Sequence, residues 1–367
     1  MRYRNSSLGR FVKGEIDRAS IFDALHYAGI LRLIRPAIGG MGVILLFHRI
    51  GDPEASFAPM FTPPLFLDRC IRYVRAAGWQ IVTLDDMHRR LIGEVNAPKP
   101  FVCFTFDDGY RDNITLGLPI FERHEAPFAV YVPTGTPDRT MNPWWAIFDR
   151  IVSEHQEILV EPTAGEEMLL PARTRPEKKN AYWRLWELAF PDASQHAGAI
   201  DRLYRRYFID PAAEMERITL GWRELREVAG HPLITIGSHT ISHPALPRLS
   251  GSAAEKEIAD GTSRLESELG KKVNHFAYPF GFASARDAGI VSALGLKTAV
   301  TTMKGNIFAE AKEHRFSLPR RSFENLRMTP RTIRNSLFGA DNLLDIVRGR
   351  PRTITAASLP WSAESSS

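Results

Sequence analysis

Cysteine is almost missing from this chain of 367 residues: Cys70 and Cys103 are the only two, and each stands inside an apolar or helical pattern. That excludes a disulfide framework as the source of stability. Long apolar runs are also absent, since no stretch approaches the roughly 18 consecutive apolar residues of a membrane-spanning helix. Residues 1–40 scatter Arg2, Arg4, Arg10, Lys13, Arg18, Arg32 and Arg35 among short apolar patches, with no continuous hydrophobic region and no small-residue cleavage site. A cytoplasmic address is therefore expected. The net charge of +5 is not gathered into a stripe, and no nucleic-acid motif accompanies it. No nucleic-acid partner is expected. The segment Gly29-Ile30-Leu31-Arg32-Leu33-Ile34-Arg35 leaves room for peripheral membrane contact through an amphipathic helix, against the plainer reading of a helix packed on the domain.

What is present is enough for a large core: 44% of the residues are hydrophobic. Apolar runs alternate with helical patterns. Phe101-Val102-Cys103-Phe104 reads as a buried strand, Asn113 to His124 as a helix, and Ala126 to Val132 as the next strand. Further on come a helix over Ala253 to Leu269, a strand over Val273 to Tyr278, a helix around Ala283 to Leu294, and a strand over Thr298 to Thr302. This rhythm predicts parallel strands joined by crossover helices. Residues 138–230 break it. They are charged, rich in tryptophan (Trp144, Trp145, Trp183, Trp186, Trp222) and mostly helical in pattern, which predicts an inserted helical subdomain beside the cleft.

Two short segments carry chemistry. Thr105-Phe106-Asp107-Asp108-Gly109 places adjacent carboxylates where a strand ends, and Ser238-His239-Thr240-Ile241-Ser242-His243 places two imidazoles four residues apart after Leu233-Ile234-Thr235-Ile236. At that spacing the imidazoles can share one face of a helical turn. Asp-Asp-Gly alone is often a turn. Strand ends, however, are where α/β folds build their sites. Two His and one carboxylate suit a catalytic divalent cation with open positions, and the second carboxylate is then free to act as a base.

These segments resemble the first two motifs of the polysaccharide deacetylases, the NodB-homology or family 4 carbohydrate esterases. Phe276-Ala277-Tyr278-Pro279-Phe280-Gly281 is similar to the third motif. The resemblance implies a distorted (β/α) barrel of about seven strands in an α/β fold, with an inserted helical subdomain, and a carbohydrate partner. It implies that Asp108, His239 and His243 hold one divalent metal, with zinc favoured and cobalt, nickel or iron suited to the same ligands. Asp107 becomes the base toward the attacking water, and the backbone N–H of Tyr110 a candidate oxyanion donor. Most members take their acid His from a C-terminal motif, but no His follows His314 here. Instead Val43-Ile44-Leu45-Leu46-Phe47-His48 ends a strand near the N-terminus, which resembles the circularly permuted poly-N-acetylglucosamine deacetylase-like subgroup and implies His48 as the acid.

The chain departs from the common pattern at Ala277, where an Arg usually orients the base; Arg320 or Arg321 is the candidate replacement. Tyr278, Pro279 and Phe280 are candidates for a groove wall. The expected organisation is an N-terminal helical extension at 1–40, a barrel at 41–137 and 231–326 interrupted by the insertion, and a poorly ordered basic, Ser-rich tail at 340–367. The activity implied is removal of N-acetyl groups from N-acetylated sugars. Hydrolysis of another C–N bond, of O-acetyl esters, or an inactive carbohydrate-binding role stay open.

Overall fold

The computed structural model describes residues 27–190, 196–323, 328–339, 342, 353–355 and 359. Most of the expected N-terminal extension and nearly all of the tail lie outside the described residues. Twelve strands are present among them: β1 (Gly42–Phe47), β2 (Arg49–Ile50), β3 (Phe61–Thr62), β4 (Gln80–Ile81), β5 (Phe101–Phe106), β6 (Phe128–Val132), β7 (Glu157–Thr163), β8 (Glu166–Pro171), β9 (Ile234–Ser238), β10 (His275–Ala277), β11 (Thr298–Lys304) and β12 (Leu318–Ser322). Seven of them close a parallel barrel in the order β1-β5-β6-β9-β10-β11-β12 and back to β1, with β4 paired to the start of β5 beside β6. Closure rests on β1, which pairs with β5 from Gly42↔Phe101 to Phe47↔Phe106 and with β12 at Leu45↔Arg321. The expected barrel and its parallel strands are thus present.

Alternation along the strands gives the barrel two cores. Ile44, Cys103, Ala129, Tyr131, Ala277, Val300 and Leu318 form one buried cluster on the inner face. Their neighbours Val43, Leu45, Phe47, Val102, Phe104, Phe106, Phe128, Val130 and Ile236 form another, against helices that include Pro64–Ala76, Leu118–Arg123 and Pro330–Phe338. The period of two forces this division, because successive Cβ atoms point to opposite faces. Phenylalanine dominates the outer layer: Phe47, Phe104, Phe106, Phe121 and Phe128 pack ring on ring at 4.3–6.0 Å. Each such buried side chain contributes roughly 1.5–3 kcal/mol of transfer free energy.

The interruption between β6 and β9 has a hydrophobic core of its own, built from Trp144, Trp145, Phe148, Ile151, Tyr182, Leu185, Leu203 and Met215 among others. It contains the helices Trp144–Glu154, Arg175–Ala189, Ala197–Arg206 and Pro211–Ile218, and also the antiparallel hairpin of β7 and β8. The helical pattern read from the sequence did not separate out that hairpin. The last helix before β9, Trp222–Ala229, packs Leu225 and Ala229 into the barrel's outer cluster instead.

Candidate active site

Parity delivers the two carboxylates to different places. On β5, Val102, Phe104 and Phe106 face outward, so Asp107, one residue past the strand, turns into the barrel mouth. Its backbone N–H donates to the Phe47 carbonyl at 3.0 Å, which continues the β1–β5 ladder. Asp108 and Gly109 then take left-handed φ of 72° and 65°. That reversal turns Asp108 away from the strand line and toward β9.

His239 follows β9 and donates from Nδ1 to the Ala277 carbonyl at 2.7 Å, which leaves its Nε2 lone pair directed elsewhere. His239 Nε2 lies 3.5 Å and His243 Nε2 3.4 Å from the same Asp108 Oδ1. All three side chains are buried, and their ligand atoms fall within 4.8 Å of one another. Asp108 Oδ1 has no hydrogen-bond partner among the described residues. A buried carboxylate oxygen without a donor is costly unless a cation meets it, so these residues fit a metal. The expected helical turn is not how the pair converges. Residues 239–243 form a loop, with Thr240 at φ 70° and His243 at φ 60°.

Arg320 is the residue that meets Asp107. Its two terminal nitrogens donate to Asp107 Oδ1 at 2.7 Å and Oδ2 at 2.6 Å, while its Nε donates to the Thr301 carbonyl at 2.9 Å. Arg321 faces outward, with its guanidinium on Asn306 and Asn342. Strand parity separates the pair: Arg320 shares the inward register of Leu318, and Arg321 does not. Burial alone raises the Asp107 pKa, but the charge and hydrogen bonds of Arg320 outweigh it and hold the carboxyl below its ordinary range. Burial likewise opposes ionisation of Asp108, and the imidazoles of His239, His243 and His48 reverse that. Burial pushes His243 down to about 4 against the pull of Asp108. His243 is therefore neutral near pH 7 and keeps a lone pair for a ligand bond.

His48 lies one residue beyond β1, beside Asp107 across the ladder, and is half-buried. Its charge is felt at Asp107, Asp108 and His243. The Asn113 amide donates to the His48 carbonyl at 2.7 Å, and the Ile50 N–H donates to Asp112 Oδ1 at 2.9 Å, so the residues after Gly109 hold the strand end that carries His48. Tyr110 is buried, and its N–H has no acceptor among the described residues. Its hydroxyl accepts from Trp145 Nε1 at 2.6 Å.

The other candidates divide. Tyr278 is fully buried, with its ring against Phe276 and its hydroxyl on the Phe316 carbonyl, which places it in packing rather than on a groove. Pro279 is buried as well. Phe280, at φ 57°, sets its ring 4.5 Å from His243. Trp145 reaches the site from the insertion, 5.2 Å from the His243 ring. Its position depends on how the insertion docks, which no local pattern encodes.

The fold and this cluster define a (β/α) barrel with a candidate metal-dependent hydrolytic centre at the C-terminal ends of its strands. Residues 202–299 match the polysaccharide deacetylase family model, and the matched span holds the second and third motifs. Over that span the chain is thus similar to polysaccharide deacetylases. Among solved structures it is similar to the Streptococcus pyogenes deacetylase PplD in complex with acetate (19% identity, TM-score 0.54, 80% of this chain and 97% of that one). It is also similar to IcaB from Ammonifex degensii (18%, 0.50, 82% and 97%) and to a de-N-acetylase from Aggregatibacter actinomycetemcomitans (14%, 0.51, 80% and 99%). At these identities the likeness establishes the shared fold. No curated protein sequence matches the chain.

Proposed function

We propose that this protein is a metal-dependent hydrolase that removes N-acetyl groups from N-acetylated sugars. The observation that carries the reading is the convergence of Asp108, His239 and His243 beside an Asp107 gripped by Arg320. A divalent cation, zinc best by this donor set, would be held by those three side chains and would polarise the acyl oxygen as a Lewis acid. Asp107 accepts the proton of the attacking water, whose oxygen bonds to the acyl carbon. The Arg320 clamp fixes the carboxylate's rotamer and keeps it ionised. As the C–N bond breaks, His48 gives its proton to the leaving amine, so that acetate and a free amino sugar result. The Tyr110 N–H is the oxyanion donor supplied by the chain.

Ala277 made an inactive sugar-binding role a live alternative. Arg320 supports activity instead, because a guanidinium from the neighbouring strand system occupies the orienting position on Asp107. The experiment is acetate release from N-acetylglucosamine oligomers, with and without chelator. Release that stops with chelator and returns with zinc is expected; sugar binding without turnover in any metal would overturn the proposal, and release only from O-acetyl sugars would redirect it.

No helix among the described residues is long and apolar enough to cross a membrane. A peripheral contact is proposed at the helix Ile30–Ile38. Ile34 and Ile38 pack on the barrel's outer cluster, whereas Tyr27, Ile30 and Leu33, three residues apart in turn, are exposed. Anionic vesicles should float the protein, and a Leu33→Glu variant should stay behind; equal flotation of both rules this face out.

A further inference from the structure

Glu257 sits on the helix Gly251–Leu269, fourteen residues beyond His243, and belongs to none of the motifs described above. Its Oε2 accepts the backbone N–H of Ile241 at 2.9 Å and of Ser242 at 3.0 Å, and its Oε1 accepts the Ser242 hydroxyl at 2.7 Å. One carboxylate thereby holds both residues that separate Thr240 from His243. We propose that Glu257 is the positioning residue of the second metal motif, acting through this loop to hold the His243 imidazole where Asp108 and His239 can share an ion with it. The inference rests on the metal-site reading above and specifies how that site is kept in shape.

Three observations carry it. The loop needs holding, because Thr240 and His243 both adopt left-handed backbone conformations, with φ of 70° and 60°, that non-glycine residues take at a cost. The helix is built to approach the loop: one turn after Glu257 stands Gly261, where a Cβ would lie 2.8 Å from the Thr240 carbonyl carbon and 3.2 Å from the Ile241 nitrogen. Next to it, the Thr262 hydroxyl donates to Ser238 Oγ at 2.9 Å, at the last residue of β9. From the other side, Thr134 N–H and Gly135 N–H donate to the carbonyls of Thr240 and Ile241 at 3.1 and 2.8 Å. The carbonyls of Thr240 and Ile241 are thus held by the β6 end and the amides of Ile241 and Ser242 by Glu257, while the His243 N–H donates to Thr240 Oγ1 at 3.1 Å. Removing the carboxylate frees one side only, so the chain folds while His243 gains freedom.

The test compares wild type with Glu257→Ala, Glu257→Gln and, as a control on the same helix, the exposed Glu255→Ala. Zinc affinity is measured on metal-free protein by competition with a chromophoric chelator, and amide exchange at Ile241 and Ser242 is followed without metal. Glu257→Ala should weaken zinc binding by about 10–100-fold, the range for loss of a group behind a metal ligand. It should also speed exchange at the two amides while leaving the melting temperature of the metal-free protein near wild type. Glu257→Gln keeps an oxygen for the two amides and can donate to Ser242 Oγ, so it should recover most of the affinity; Glu255→Ala should change nothing. Wild-type affinity and protection in Glu257→Ala would overturn the inference. Failure of the wild-type protein itself to bind zinc, cobalt or nickel would instead overturn the metal-site reading.

Discussion

Two adjacent aspartates reach different partners because their backbones differ. Asp107 continues the strand and meets Arg320, whereas Asp108, at φ 72°, is turned to the imidazoles. Asp107→Asn should therefore keep bound metal, measured by elemental analysis, while turnover falls by about 10²–10⁴-fold, the span for a general base. Asp108→Asn should lose the metal. Equal metal loss in both variants would show that the division is wrong. The pH behaviour follows from the Arg320 clamp. Burial, the largest influence on Asp107, raises its pKa, and Arg320 reverses the sign. In the wild type Asp107 is ionised down to below the ordinary carboxylate range, so as the proposed base it imposes no acidic limb near neutrality. In Arg320→Gln burial is opposed only by the smaller pull of His239 and His48, and the acidic limb of kcat/KM should move to higher pH. An unmoved limb would mean that Arg320 does not govern the base. The same depressed pKa makes Asp107 stabilising above its unfolded value, a contribution lost as pH falls through the folded one.

At the scale of strands, the period of two decides which residues can reach the site. Arg320 and Arg321 were equivalent candidates by composition, yet Leu318 fixes the parity of β12 and sends only Arg320 inward. Parity was therefore legible in the sequence. Tyr278 was less so, since at the end of β10 its ring joins Phe276 in the layer under the helices. The motif segments and the barrel rhythm were readable because each is short-range. The left-handed loop at 240–243, Glu257 and Trp145 were not, because each depends on an approach between distant segments. Gly237 shows how tight those approaches are: paired with Tyr131 across β6 and β9, it would place a Cβ 2.3 Å from the tyrosine ring and 3.1 Å from the His275 carbonyl oxygen. Gly237→Ala should cost about 1–3 kcal/mol of stability in denaturant titration, the range for an overpacked core. Because β9 carries His239, zinc affinity should fall with it. A neutral effect on both would mean that the Tyr131 ring yields.

On the scale of the whole molecule, the insertion and the barrel meet at the mouth that holds the site. The helix Trp144–Glu154 spans this junction with two side chains one turn apart. Trp145 donates to the Tyr110 hydroxyl, and Asp149 accepts from Phe57 N–H at 2.6 Å, Ala58 N–H at 3.1 Å and the Ser56 hydroxyl at 2.8 Å. Residues 56–58 belong to the connection that leaves His48 and runs through β2 to β3, so the insertion fixes a loop at the same end of the barrel as Asp108, His239 and His243. None of these bonds touches Asp108, His239 or His243. Asp149→Ala should accordingly leave zinc affinity unchanged while freeing the 56–58 loop. If that loop forms part of the surface along which a sugar chain lies, KM for oligomers should rise several-fold more than kcat falls, and KM for a single N-acetylated sugar should hardly move. Release of three hydrogen bonds to a charged group, each about 1.5–3 kcal/mol when intact, is ample to mobilise so short a segment. An equal loss with single sugars and oligomers would place the effect at the chemical step. The insertion would then act on His48 through the loop, and would not set how much of the chain the protein grips.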